Sequence, residues 1–153
     1  MTDLAAEARA ILDEGRYMTL ATADADGRPW ASPVWYAPDG YGELYWVSLP
    51  DATHSRNIAA RPEIAIVVFD SRVAPGTGQG VYMSAVAGEV PEADLDRGIG
   101  VFSRRSEEQG LPAWPRERVV APAPHRLYRA RVTEHSVLDH AQRPGDRRST
   151  VEI

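Results

Sequence analysis

The pair Asp26-Gly27 lies between two runs of strand-forming residues, Tyr17 to Ala23 and Trp30 to Tyr36. Asp-Gly in that setting is the strongest local signal for a β-hairpin, because its glycine accepts the positive φ that a tight hairpin turn demands. The same punctuation recurs along the chain. Pro38-Asp39-Gly40 closes the second run, Gly40 to Gly42 turns into a third strand over Glu43 to Ser48, and further strands are predicted over Ile64 to Asp70, Val81 to Val90 and His125 to Val132. Strands joined at short intervals by Gly, Asp and Pro cannot accommodate the long helical crossovers of a parallel sheet, so they predict an antiparallel barrel.

Helical patterns occur at only three places. Leu4, Ala8, Ile11 and Leu12 recur at helical spacing between Thr2 or Asp3, either of which can cap the start, and Gly15, which is expected to end the helix in a left-handed conformation. This first helix is expected to pack on the barrel as a lid. A short loop and helix follow Ser48, and Glu92 to Gln109 reads as a longer helix with Leu95, Ile99 and Phe102 on one side, weakened by Gly98 and Gly100. Within the second strand, Pro33 has no N–H to give a ladder, which predicts an edge strand or a bulge at Ser32-Pro33-Val34-Trp35. From Gly110 to Pro124 the chain is irregular and proline-rich. In the strand that follows, Leu127, Ala130 and Val132 are expected inward, with Arg126, Arg129 and Arg131 outward, and the arginine-bearing tail from His140 reads as exposed.

At 153 residues the chain is long enough for one domain, which buries about 70% of the surface exposed by the unfolded chain. With 22 acidic residues against 17 basic ones and a net charge of −5, there is no basic field to hold nucleic acid. The basic residues are all Arg, so no lysine Schiff base can form. The absence of cysteine excludes thiol catalysis, disulfides and thiolate metal sites together. The four histidines do not compose a metal set by spacing, and neither H-E-x-x-H nor G-x-S-x-G occurs. No apolar run approaches the ~18 residues of a membrane span, and the first residues lack the basic start and apolar core of a signal peptide, so a cytoplasmic protein is expected. The loop Ala74 to Gly80 has three glycines but lacks the pattern of a nucleotide-binding loop. The aromatic residues Trp30, Trp35, Tyr36, Tyr41, Tyr45 and Trp46 imply a core, an oligomer interface, or both.

Between two of the strands lies His54-Ser55-Arg56-Asn57. Imidazole, hydroxyl and guanidinium can each bond an anionic oxygen, so this stretch reads either as a phosphate-anchoring corner or as a solvated helix end. The run H-S-R-N-I-A-A-R-P resembles the phosphate-loop region of the FMN-binding split-barrel family, the pyridoxamine 5′-phosphate oxidase-like proteins. Y-M-T-L-A-T-A-D-A-D-G-R-P-W-A-S-P-V-W-Y resembles that family's opening hairpin, and G-Q-G-V-Y-M-S-A-V-A-G-E-V its later strand, with Ala85-Val86-Ala87 at a characteristic Gly-x-Ala position. The resemblance covers Tyr17 to Glu89 well and the rest loosely.

The resemblance implies a single domain over residues 1–153, an antiparallel split β-barrel of Greek-key type with flanking helices. It implies a homodimer with FMN between the protomers and an oxidoreductase acting on an unidentified small molecule. The implied cofactor set is Ser32, Pro33, Val34 and Trp35 on the strand beside the flavin ring, Ser48, the corner His54, Ser55, Arg56 and Asn57, and Gln79 and Gly80. Of the last two, Gly80 aligns with a flavin-contacting Gln of the oxidase, which displaces Gln79 by one position. The family usually has Lys where this chain has His54, which leaves two expectations open: Arg56 compensates as the main cation, or His54 is itself the phosphate ligand and Arg56 points to solvent or to the partner subunit. The paired Arg and Lys of the oxidase's second flavin strand are absent from Ser32 to Tyr36, so pyridoxamine 5′-phosphate oxidase activity itself is not expected. Two alternatives share the fold: a reductase using the 8-hydroxy-5-deazaflavin coenzyme, whose family resembles this chain in H-S-R-N-I, and a non-enzymatic flavin- or haem-binding barrel.

Overall fold

A computed structural model describes residues 3–141 and 147–153. The chain runs α1 (Leu4–Glu14), β1 (Tyr17–Ala23), β2 (Pro29–Trp35), β3 (Ala37–Asp39), β4 (Glu43–Ser48), α2 (Thr53–Ala60), β5 (Glu63–Phe69), β6 (Gly80–Glu89), α3 (Glu92–Glu108), a 3₁₀ turn (Arg116–Arg118), β7 (Arg126–Leu138) and β8 (Arg148–Val151). The strands form one antiparallel sheet in the order β2-β1-β5-β6-β7-β4-β3, with β8 added along β7. β2 and β3 stand at opposite ends of this order, yet only Tyr36 separates them in the chain. A single residue cannot span a flat sheet of seven strands, so the sheet has to curl until its two ends nearly meet. The result is the expected split barrel, and β2 is an edge strand, as Pro33 requires. Its register with β1 runs unbroken from Tyr17↔Trp35 to Ala23↔Pro29, so the edge reading of Pro33 holds and no bulge is present there.

The first helix begins as its sequence predicts, with Asp3 Oδ1 accepting from the Ala6 N–H at 3.1 Å, and it buries Ala8 and Leu12 against the barrel; Thr2 lies outside the described residues. Its end differs from expectation. Gly15 has an extended conformation, with φ of −66°, and glycine is needed there for a different reason. A Cβ would lie 2.6 Å from the Tyr36 hydroxyl and 2.8 Å from a Val68 methyl, because the Tyr36 ring passes beneath to donate to Leu12 O at 2.6 Å.

Two apolar layers share the sheet. Inside the barrel lie Met18, Leu20, Tyr36, Trp46 and Val81, where Trp46 stacks on Tyr128 with centroids 5.7 Å apart. Outside, α3 lays Leu95 and Phe102 over Tyr45 and Leu127. β7 is therefore covered on both faces where α3 crosses it, which is why its alternation looks imperfect in the sequence. Leu127, Tyr128, Arg129 and Ala130 are all buried. Arg129, expected at the surface, points away from the barrel interior but under α3, where it meets Asp94 at 3.1 Å. β7 also continues past the predicted end at Val132. The register shifts opposite Ser84 and Ala85, leaving Thr133 as an extra residue, so the apolar period is reset there. β3 was hidden by the turn-like Pro38-Asp39, and β8 occupies part of the tail expected to be exposed; Gln142 to Asp146 lie outside the described residues. Among the described residues no helix is long and apolar enough to cross a membrane.

Candidate functional site

The split between the sheet ends is roofed by α3, and beneath it lies a cavity of about 470 Å³. Its walls come from β2, the end of β4, the first turn of α2, α3 and the segment between α3 and β7. β2 contributes Pro33, Val34 and Trp35, three of the four residues expected on that strand. Ser32 is paired with Leu20 of β1 and lies outside the lining.

β4 delivers Ser48 at its last position, and α2, starting five residues later, delivers His54. Ser48 Oγ and His54 Nε2 share a hydrogen bond of 2.7 Å at the cavity wall. His54 is 9% exposed, and burial lowers its pKa from the ordinary histidine value, so the ring is neutral at neutral pH. Ala52, the residue that precedes α2, offers no side-chain cap, leaving the helix start next to this pair without the usual hydroxyl or carboxylate acceptor.

The four residues expected to gather at one corner do not do so. Successive side chains on a helix are rotated by about 100°, and α2 already includes His54 to Asn57. His54 faces the cavity, whereas Ser55 is buried beside the Tyr128 hydroxyl without a hydrogen bond of standard geometry. Arg56 is exposed, and Asn57 turns under the barrel, where its Nδ2 donates to Thr22 Oγ1 at 3.0 Å. His54, Ser55 and Arg56 therefore do not converge within one chain: His54 pairs with Ser48, and Arg56 does not line the cavity.

Gln79 and Gly80 also stand apart from this lining. Gln79 Nε2 donates to Leu138 O at 2.8 Å, while its Oε1 accepts from the N–H groups of Leu138 and Gly80 at 2.9 and 3.0 Å. The amide thus ties the start of β6 to the end of β7. Gly80 pairs with Phe69 in the sheet.

Sequence reasoning missed the opposite wall. Phe102 meets Trp35 edge to face at 4.8 Å and Trp114 in the same manner at 5.3 Å. Trp35 is further fixed by donation from its indole N–H to Gln109 Oε1 at 2.8 Å. Trp114 is held by Ser103, whose hydroxyl accepts from the Trp114 N–H at 2.9 Å and donates to its carbonyl at 3.1 Å. Arg118 lies 3.5 Å from the Trp114 ring centroid, a cation–π contact. Leu111, Tyr17 and His125 complete this end. Phe102 was visible as a helix-face residue, but nothing in the spacing of the proline-rich segment placed Trp114 or His125 here. Among the described residues lining the cavity none is Arg, Asp or Glu, and no group of three or more His, Asp and Glu stands together to hold a metal.

Known structures repeat this fold. A haem storage protein from Vibrio cholerae, HutZ, superposes with a TM-score of 0.66 at 22% identity, over 86% of this chain and 91% of that one. A haem-binding protein from Mycobacterium smegmatis gives 0.75 at 21% identity over 99% of this chain, which spans only 58% of that protein. An FAD-binding protein from Mesorhizobium loti gives 0.62 at 24% identity, over 87% and 92%. At such identities the likeness is one of fold. A search among proteins of curated function returns no match. The family model described as pyridoxamine 5′-phosphate oxidase matches residues 4–139, from the first helix through the end of β7, and with that match over a split barrel the chain belongs to the pyridoxamine 5′-phosphate oxidase family.

Proposed function

We propose that the protein binds FMN in the cavity beneath α3 and is an FMN-dependent oxidoreductase acting on a small molecule as a homodimer. The observation that supports this most directly is the polarity of the cavity. One end has the uncapped start of α2 beside Ser48 and His54, and the other has Trp35 and Phe102. A helix start with a hydroxyl and an imidazole suits a phosphate, and rigid aromatic walls in a cavity of this size suit a planar ring. The residues fit the group. Ser48, His54 and the first-turn N–H groups of α2 would hold the phosphate, and Val34, Trp35 and Phe102 would flank the ring. A bound flavin supplies hydride or electron transfer, so the protein needs no acid–base motif of its own. Its own residues bind, orient and keep water out. Neutral His54 acts there as a hydrogen-bonding group rather than as the fixed cation that the family's lysine would be.

Dimerisation fits the surface. Tyr17 is 62% exposed, Trp30 50% and Phe69 56%, and a second copy covering Tyr17 would also complete the rim of the cavity.

A second reading, haem binding, has one specific observation in its favour: two imidazoles, His54 and His125, line the same largely apolar cavity, and neutral imidazole is the form that binds iron. The Vibrio cholerae and Mycobacterium smegmatis proteins named above carry that description. The visible spectrum of the purified protein, followed by titration with FMN, haemin and the 8-hydroxy-5-deazaflavin coenzyme, separates the readings. Saturable FMN binding with a perturbed flavin spectrum is expected. A Soret band on purification with no uptake of FMN would overturn the flavin reading in favour of haem, and selective uptake of the deazaflavin would move the protein to that branch.

A further inference from the structure

Trp35 lines the cavity, yet its indole N–H is committed to Gln109, which lies outside the lining. The way α3 ends fixes that partner. Gln109 follows the last helical residue, and its backbone N–H still bonds the Arg105 and Ser106 carbonyls at 3.3 and 3.1 Å. Gly110, at a φ of +76°, then turns the chain, and the Leu111 N–H returns to Ser106 O at 2.9 Å. Arg105 anchors the same turn to the end of α1, donating from Nη2 to Asp13 O at 2.8 Å and to Gly15 O at 3.0 Å. Arg16, the next residue, brings its Nη1 to 3.5 Å from Gln109 Oε1. The oxygen that receives the Trp35 N–H at 2.8 Å is thus held by the cap of α3 on one side and faced by the α1–β1 connection on the other.

An indole offers a ligand two different surfaces, an apolar ring system and a single N–H donor that needs an acceptor once it is removed from water. With the donor satisfied by Gln109, the ring system of Trp35 is what remains for the cavity, braced edge to face against Phe102 at 4.8 Å. Without that acceptor the N–H is orphaned in a partly buried place, and the indole turns to satisfy it. We infer that Gln109 is a positioning residue of the flavin site: by taking the Trp35 N–H outside the cavity, it holds the indole ring, rather than the donor, against the flavin ring. The inference rests on the flavin reading above. Since Gln109 is not part of the lining, it acts through Trp35 and not as a cofactor ligand.

Calorimetric titration with FMN and riboflavin, together with the absorption and fluorescence of the bound flavin, tests this. Gln109→Leu should weaken both ligands by the same factor, about tenfold, because the ring and not the phosphate is affected, and it should shift the bound-flavin spectrum. Gln109→Glu keeps an acceptor for the N–H and faces Arg16, so it should hold the affinity within about twofold and leave the spectrum as it is. In a Trp35→Phe background the N–H is gone, and Gln109→Leu should then change FMN binding by less than about twofold. Unchanged affinity and spectrum in Gln109→Leu would overturn the inference. So would an equal loss in the Trp35→Phe background, which would make Gln109 a brace for α3 alone. The indole N–H resonance of Trp35 reads the bond without any cofactor, and among the four tryptophans it is identified by its loss in Trp35→Phe. It should move and exchange faster with solvent in Gln109→Leu and stay in place in Gln109→Glu; a resonance that Gln109→Leu leaves unmoved overturns the inference by itself. Failure of the unmodified protein to bind FMN overturns the flavin reading and the role at that ring with it, whereas FMN binding that is indifferent to Gln109→Leu overturns the inference alone.

Discussion

His54 and Arg56 are two positions apart on α2 and experience different surroundings, one a buried partner of Ser48 and the other exposed. Hydrogen bonds to a charged group contribute about 1.5 to 3 kcal/mol, so His54→Ala should weaken FMN binding by about tenfold or more, whereas Arg56→Ala should change it less than about twofold. Calorimetric titration of both variants checks this ranking, and the reverse order would restore Arg56 as the main phosphate ligand. Acidification provides an independent check. Burial lowers the pKa of His54, and also that of His135, so both are neutral in the fold where the unfolded chain would take up protons. Stability is then complete above the ordinary histidine range, about pH 6.5, and is lost as pH falls below it. Urea midpoints between pH 7.5 and 5.5 should decline, and His54→Gln should flatten part of that decline while His135 retains the rest. Identical slopes in the two proteins would refute the buried, neutral His54. The sequence identified the stretch and its residue types but not their directions. Whether His54 to Asn57 form a loop that converges or a helix that splays depends on where α2 starts, and Ala52 gives no capping signal from which to read it.

In α3 two glycines that look equivalent in the sequence have opposite structural meaning. Gly98 lies against β4 and β7, where a Cβ would come within 2.8 Å of Leu127 Cδ2 and 2.9 Å of Tyr45 Cε1, whereas around Gly100 nothing lies within 4 Å. Gly98→Ala should therefore destabilise by about 1–3 kcal/mol through overpacking, and Gly100→Ala should stabilise by about 0.5–1 kcal/mol through helix propensity. Urea unfolding of the two variants gives the comparison, and a stabilising Gly98→Ala would contradict the close packing of α3 on the sheet. β1, with one buried face, has the bounds that its residues predict, and so does β4, which turn residues precede at Gly40 and Gly42 although it is covered on both faces. A long element interrupted by an extra residue was less readable. β7 is longer than predicted because α3 buries Arg129 and because Thr133 breaks the period, and both causes are tertiary.

The curl that brings β2 and β3 together around Tyr36 creates the cavity and leaves one rim of it exposed to solvent at Tyr17. A second copy closing that rim predicts a dimer at micromolar concentration in light scattering, and Tyr17→Glu should weaken the dimer by placing a charge at an apolar contact. A monomer in the unmodified protein would remove this part of the account. The fold class followed from turn spacing and the family resemblance. The aromatic wall did not, since Trp114 and His125 reach the cavity from a proline-rich segment whose path no local pattern describes. The central claim is that one end of the cavity is built for a phosphate and the remainder for a flat ring. Calorimetric titration with FMN and with riboflavin, which differ only in the phosphate, tests it most directly. The account predicts FMN binding at least about tenfold tighter than riboflavin, in line with the ~1.5 to 3 kcal/mol expected of a hydrogen bond to a charged group, and equal affinities would contradict it.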